Sequence, residues 1–85
     1  MPARVNAEVP GEAALAKRLG LRIRALREAK GLTQAELGAS KRGVVYFAKQ
    51  HVWKMESGLV TPTVPALAHF AKRLEVTLVA LIRGL

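Results

Sequence analysis

Cysteine and aspartate are both absent from this 85-residue chain, and His51 and His69 are its only histidines. Without cysteine there are no disulfides, no thiolate metal ligands and no thiol nucleophile. Without aspartate, two histidines and six glutamates leave little from which to build a zinc site or a His–carboxylate catalytic pair. No metal, cofactor or catalytic residue is therefore expected, and no nucleophile–base constellation speaks for an enzyme. Aromatic residues are scarce, at 5%, and only Trp53 and Tyr46 qualify as exposed platforms of the kind that stack RNA bases. No stretch approaches the roughly 20 apolar residues of a membrane span. The opening segment MPARVNAEVPG lacks the apolar core of a secretion signal, so no membrane partner and a cytoplasmic location are expected.

Positive charge is what the chain has in excess: 14 Lys and Arg against 6 acidic residues, a formal net charge of +8. The excess is concentrated. Lys17, Arg18, Arg22, Arg24, Arg27, Lys30, Lys41, Arg42, Lys49 and Lys54 are opposed within their span only by Glu28 and Glu36, while the flanks cancel. Such density on a small domain is the electrostatic footprint of a polyanion partner. The length corresponds to one domain with a modest core, for which self-association is a ready source of extra stability.

Residues 1–11 carry two prolines and a glycine without apolar periodicity and read as a flexible N-terminal arm; residues 12–85 read as one helical domain. From Glu12 to Lys30, Leu15, Leu19, Ile23 and Leu26 recur at helical spacing, and Gly31 marks the stop. Gly20, inside this run, costs about 1 kcal/mol relative to alanine and weakens the helix before it. Thr33 with Glu36 forms a capping-box pattern that opens a short second helix through about Ala39. After the polar break Ser40-Lys41-Arg42-Gly43, the residues Val45, Ala48, Val52 and Met55 define a third helix ending near Gly58. Thr63 caps a fourth, with Pro65 in its first turn and Val64, Leu67, Phe70, Ala71 and Leu74 on its buried side. Thr77 caps a fifth, from Leu78 to about Gly84. The expectation is all-α: five short helices and no strand pattern.

The second and third helices, with the two-residue connector Gly31-Leu32 before them, have the layout of a helix-turn-helix. The chain from about Leu19 to Leu81 resembles the lambda-repressor-like, Cro/cI or XRE-type, helix-turn-helix domains. The resemblance is carried by Leu19-Gly20-Leu21-Arg22-Ile23-Arg24-Ala25-Leu26-Arg27-Glu28, by Gly31-Leu32-Thr33-Gln34-Ala35-Glu36-Leu37 and by Met55-Glu56-Ser57-Gly58. Pro62, the Leu67, Ala71 and Leu74 spacing, and Val76-Thr77-Leu78 complete it.

This resemblance implies a five-helix DNA-binding domain whose third helix enters the major groove of double-stranded DNA. Lys49, Gln50 and Lys54 then fall where such domains meet base edges, with His51 and Trp53 beside them. The chemistry agrees, since lysine donates to guanine O6 and N7 and glutamine pairs with adenine N6 and N7. Trp53 either packs on the sugar–phosphate backbone or a thymine methyl, or turns into the core. Gln34 is expected at a phosphate, and Thr33, Ser57 and Thr61 are further backbone contacts. Arg27 and Glu56 occupy positions that in several such domains form a buried ion pair; Arg27 as a surface phosphate contact is the other reading.

Two departures stand out. Between Leu37 and Glu56 the chain carries four more residues than is usual for the family. Either the second helix gains a turn or the third starts early, anywhere from Val44 to Ala48. An early start would make Lys41, Arg42 and Tyr46 extra DNA backbone contacts, whereas a basic loop with Tyr46 and Phe47 over the core is the alternative. The second departure is Glu75, where a glycine usually ends the fourth helix with positive φ, so strain or a different exit follows. At the end of the chain Val79, Ile82 and Leu85 form a second apolar stripe, best covered by another copy in a two-fold dimer. These readings converge on a dimeric repressor at a palindromic operator, of the kind small plasmids and phages encode in bacteria, associated with the nucleoid. The alternative is the antitoxin of a toxin–antitoxin pair, with a protein partner on the same stripe.

Overall fold

Threonine sets the start of three helices. In the computed structural model, which describes residues 3–4 and 10–85, Thr33, Thr63 and Thr77 each sit in extended backbone and accept a hydrogen bond from the N–H three residues on. They open α2 (Gln34–Leu37), α4 (Val64–Leu74) and α5 (Leu78–Ile82). Thr33 makes a full capping box, because the Glu36 carboxylate returns to accept from the Thr33 N–H at 2.8 Å. The longest helix, α1 (Glu12–Ala29), ends at Lys30, and Gly31 turns the chain with φ 73°. The remaining helix is α3 (Lys49–Glu56).

Among the described residues, the largest fully buried side chains are Ile23 from α1, Leu37 from α2, Val52 and Met55 from α3, Phe70 from α4 and Leu81 from α5. Every helix thus contributes to one core, and no pair of helices could bury its apolar stripe alone. Leu19, Ala66, Ala71 and Leu74 extend it, with Leu26, Leu67 and Leu78 packed at its edge. Leu15 and Val64, expected on buried faces, are exposed instead. In those first turns it is Ala16 and Ala66 that face the neighbouring elements and are buried.

Two helix ends differ from the sequence reading. The second helix stops at Leu37 rather than Ala39, and the fifth at Ile82 rather than Gly84. A two-stranded antiparallel pair also occurs where no strand was expected: β1 (Ala3–Arg4) lies beside β2 (Val60–Thr61), Ala3 opposite Thr61 and Arg4 opposite Val60. Two-residue strands carry no alternation to read, since only the partner's position creates them. The expected flexible arm over residues 1–11 otherwise falls largely outside the described residues.

Glu75 leaves α4 in the left-handed conformation, with φ 59° and ψ 40°. It is the one non-glycine residue with positive φ among the described residues. Its carboxylate meets Lys30 Nζ at 2.8 Å and Lys41 Nζ at 3.3 Å, which ties the end of α4 to the end of α1 and to the segment before α3. These two ammonium groups hold its pKa below the usual carboxylate range.

Candidate nucleic-acid interface

The start of α3 is set by the residues in front of it. Ala48 is extended, with ψ 156°, so helix begins only at Lys49. The preceding residues instead fold into a closed turn. Ser40 N–H donates to the Val44 carbonyl at 2.8 Å, Ala39 bridges to Val45, and the Tyr46 and Phe47 N–H groups both donate to the Gly38 carbonyl. A Cβ on Gly38 would collide with the Phe47 carbonyl, so glycine permits this return. The early helix start from Val44 is therefore overturned: with Val45 67% exposed, it does not extend the buried stripe of Val52 and Met55. Arg42 and Tyr46 lie on the turn, not on the α3 face. Phe47 packs against Phe70 and His69, and Tyr46 meets His69 edge-on while staying exposed.

On α3, Lys49, Gln50, Trp53 and Lys54 are exposed and His51 is half-buried. Spacings of one, three and one residue keep the first four on one outward side, opposite Val52 and Met55. Trp53, at 51% exposure, points out rather than into the core. Neither an acidic side chain in the first turn nor a side-chain cap occupies the start of α3, an arrangement favourable to a nearby anion.

The far end of α3 is locked by a buried polar network. Arg27 donates Nε to Glu56 Oε2 at 2.6 Å and Nη2 to Oε1 at 3.1 Å, a two-pronged pair, and Nη1 to the Leu32 carbonyl at 2.9 Å. The hydrogen bond to Glu56 is the main cause of a guanidinium pKa above its ordinary value. Gln34 then donates Nε2 to Glu56 Oε1 at 3.0 Å. The first helix, the start of α2 and the end of α3 thus meet at one carboxylate. Arg27 is committed to this pair and is not free for a surface phosphate. Only one N–H of the Gln34 amide remains for another acceptor.

Gly20 completes this junction. A Cβ there would lie 2.6 Å from the Met55 carbonyl oxygen and collide with that of Glu56. The glycine lets α1 approach the backbone of α3, which sequence reading had taken only as a weakness in the helix.

Around the network, Lys17, Leu21, Arg24, Gln34, Trp53 and Ser57 line a cleft of about 340 Å3. Lys17 and Arg24 belong to the basic excess but were not assigned to the site from the sequence, although Lys17, Leu21 and Arg24 follow one helical face. Thr33 stays exposed beside this region. Thr61 departs from expectation: its hydroxyl is buried without a hydrogen-bond partner among the described residues, so it cannot serve as a phosphate contact in this conformation. Lys41 is engaged by Glu75.

A long angled α1, a short α2 and an outward α3 pinned through Glu56 form the tri-helical unit of a helix-turn-helix. The sequence profile described as "Helix-turn-helix domain" matches residues 18–83. The chain belongs to the helix-turn-helix domain family. Membership places it among DNA-binding regulators, not enzymes. No curated protein matches it. Among solved structures it is similar to the restriction-modification controller protein C.AhdI from Aeromonas hydrophila, with TM-score 0.70 and 28% identity over 81% of this chain and 94% of that one. It is also similar to the P22 c2 repressor, solved in complex with a synthetic operator, with TM-score 0.63 and 29% identity over 78% of this chain and 94% of the other. The competence regulator ComR from Streptococcus vestibularis shares the fold alone, at TM-score 0.70 and 23% identity over 82% of this chain; the helix-turn-helix chain spans only 22% of ComR. Among the described residues, no helix is long and apolar enough to cross a membrane.

Proposed function

We propose that this helix-turn-helix protein is a sequence-specific transcriptional repressor that binds a palindromic operator as a homodimer, with α3 in the major groove. The observation that carries the reading is the outward face of α3, where Lys49, Gln50, Trp53 and Lys54 are exposed on a helix locked by Arg27, Glu56 and Gln34. Lys49, Gln50 and Lys54 supply donors and an acceptor for base edges, and the half-buried His51 sits at the margin. The outward indole of Trp53 suits a thymine methyl or the sugar backbone. Thr33, Gln34 and Ser57 meet phosphates on the α1–α2 side, joined by Lys17 and Arg24, while Lys41, Arg42 and Tyr46 do so from the turn before α3.

The dimer reading rests on α5. Val79 and Ile82 are 60% and 43% exposed on a helix tied down by Arg22, which donates to the Ala80 and Arg83 carbonyls at 3.2 and 2.9 Å. Leu85, expected in the same stripe, is half-buried against the chain's own core. The narrower pair Val79 and Ile82 is therefore the proposed contact between copies. A cytoplasmic, nucleoid-associated regulator of bacterial, plasmid or phage origin is the setting that suits such a domain.

Selection of binding sites from random duplexes tests the reading directly. The expected product is a palindrome whose half-sites lie about 10 base pairs apart, one duplex turn. Enrichment of no sequence, or of a site still selected by a Lys49→Ala/Gln50→Ala variant, would move base reading away from α3. Copurification of a second small protein on the Val79 and Ile82 face would instead favour the antitoxin reading.

A further inference from the structure

A second basic concavity, of about 460 Å3, opens between the turn that precedes α3 and the C-terminal half of α4. Lys41, Arg42 and Tyr46 line it from the turn, and His69, Lys72 and Arg73 from α4. We propose that this cleft is a binding site for a phosphate ester, built jointly by the turn and α4.

Part of the cleft's positive charge is spent within the protein and part is left for a ligand. Glu75 pairs with Lys41, on the side of Lys30. Arg42 and Lys72 have no carboxylate partner among the described residues. Arg73 uses its Nε on the Glu36 and Ala39 carbonyls, each at 3.1 Å, and so anchors α4 to the end of α2. Bringing unpaired cations to one concave surface is unfavourable unless an anion joins them. A guanidinium beside ammonium groups matches the several oxygens of a tetrahedral phosphate group better than a single planar carboxylate.

The turn that presents Arg42 is fixed in place. Ser40 Oγ accepts from the Arg42 and Val44 N–H groups at 3.2 and 3.1 Å, and Gly43 adopts φ 87° to close the loop. With its oxygen used twice as acceptor, the Ser40 hydroxyl keeps its proton for an outside acceptor, and Ser40 also lines the cleft. His69 Nε2 meets the Leu37 carbonyl at 2.9 Å, a contact that requires the proton on this nitrogen and holds the ring as the floor against which Tyr46 packs. The site is thus set before any ligand arrives.

A phosphodiester of the bound duplex and a free phosphate or nucleotide offer the same chemistry, and two arms of one experiment separate them. The duplex arm rests on the DNA-binding reading; the free-ligand arm does not. In the first arm, backbone amide and ring resonances of the full chain are followed by NMR while sodium phosphate, then ATP, is added, with sodium chloride at matched ionic strength as baseline. In the second, duplex affinity is measured against salt concentration. Both use the wild type and Arg42→Gln/Lys72→Gln, which alters two exposed side chains with no ion pair; a thermal melt checks folding, and Lys72→Gln alone serves if the double variant is unfolded.

A free ligand is expected to shift residues 40–46 and 69–73 beyond the chloride baseline in the wild type and not in the variant. A duplex ligand is expected instead to lower the salt slope by about 0.9 for each lost contact. Either result supports the cleft and names its source. Chloride-like shifts together with an unchanged slope overturn it, even if Lys49→Ala/Gln50→Ala abolishes duplex binding and the DNA-binding reading stands. A wild type that binds no duplex at all removes that reading while leaving the free-ligand arm to decide the cleft.

Discussion

Lys49 and Gln50 are solvent-exposed on the outer side of α3, without a side-chain partner among the described residues. Replacing either with alanine should leave the melting temperature in place and reduce discrimination between operator and random duplex by about 1–3 kcal/mol; competition binding measures it, and an unchanged ratio would place base reading elsewhere. Glu56 behaves in the opposite way. It is 5% exposed and satisfies Arg27 and Gln34 together, so Glu56→Ala strands a part-buried guanidinium. The expected loss is about 3–5 kcal/mol in urea unfolding, whereas converting Arg27 and Glu56 together to apolar residues should cost less than Glu56→Ala alone. Gly20→Ala offers a test of sign. Helix propensity favours the change by about 1 kcal/mol, but the new methyl meets the Met55 and Glu56 carbonyls. Packing should win, and the melting temperature should fall.

Among the elements, those opened by threonine were legible because a cap is a local event: one side-chain oxygen and an N–H three residues away, whatever surrounds them. Thr33, Thr63 and Thr77 all act in this way. Thr33→Ala should cost about 1 kcal/mol in unfolding experiments. The start of α3 was not legible in the same sense. The apolar spacing of Val45, Ala48, Val52 and Met55 suits a longer helix, yet the Gly38 carbonyl captures the Tyr46 and Phe47 N–H groups and closes a turn instead. A choice between helix and turn there depends on contacts with Gly38 and α4 that no local pattern contains.

Titration tests two of these links. The Glu36 carboxyl is held below its usual range by hydrogen bonds with Thr33, and that of Glu75 by Lys30 and Lys41. A depressed carboxylate pKa adds stability above the unfolded-state value, and that stability is lost as pH falls through the lower folded value. These groups should therefore leave stability level from neutral pH down to the ordinary carboxylate range and lower it below. Glu36→Gln and Glu75→Gln should flatten the acid limb of a melting-temperature profile; an unaltered limb would mean that both interactions are solvated away.

For the whole molecule, charge and the exposed apolar pair set the expected behaviour. Val79→Glu/Ile82→Glu should convert a dimer to a folded monomer in sedimentation, since both side chains lie on the outside of α5; a persisting dimer would move the interface. Doubling the salt should weaken duplex binding several-fold, because each phosphate neutralised by Lys or Arg releases counterions. A flat response would remove the phosphate contacts from the mechanism.

The mainly helical class, the capped helix starts, the basic excess and the polar outer face of α3 could all be read from the sequence alone. All of these follow from spacing, composition or caps within a few residues. Which polar groups are spent internally is set by the packing of the helices. Arg27, Gln34 and Glu56 converge from three helices, the Thr61 hydroxyl is buried, and Leu85 folds back toward the core. The same holds for the turn at residues 39–45 and for the cleft it forms with α4. Each depends on residues far apart in the chain being brought within hydrogen-bond or van der Waals distance, and such proximity has no period to read.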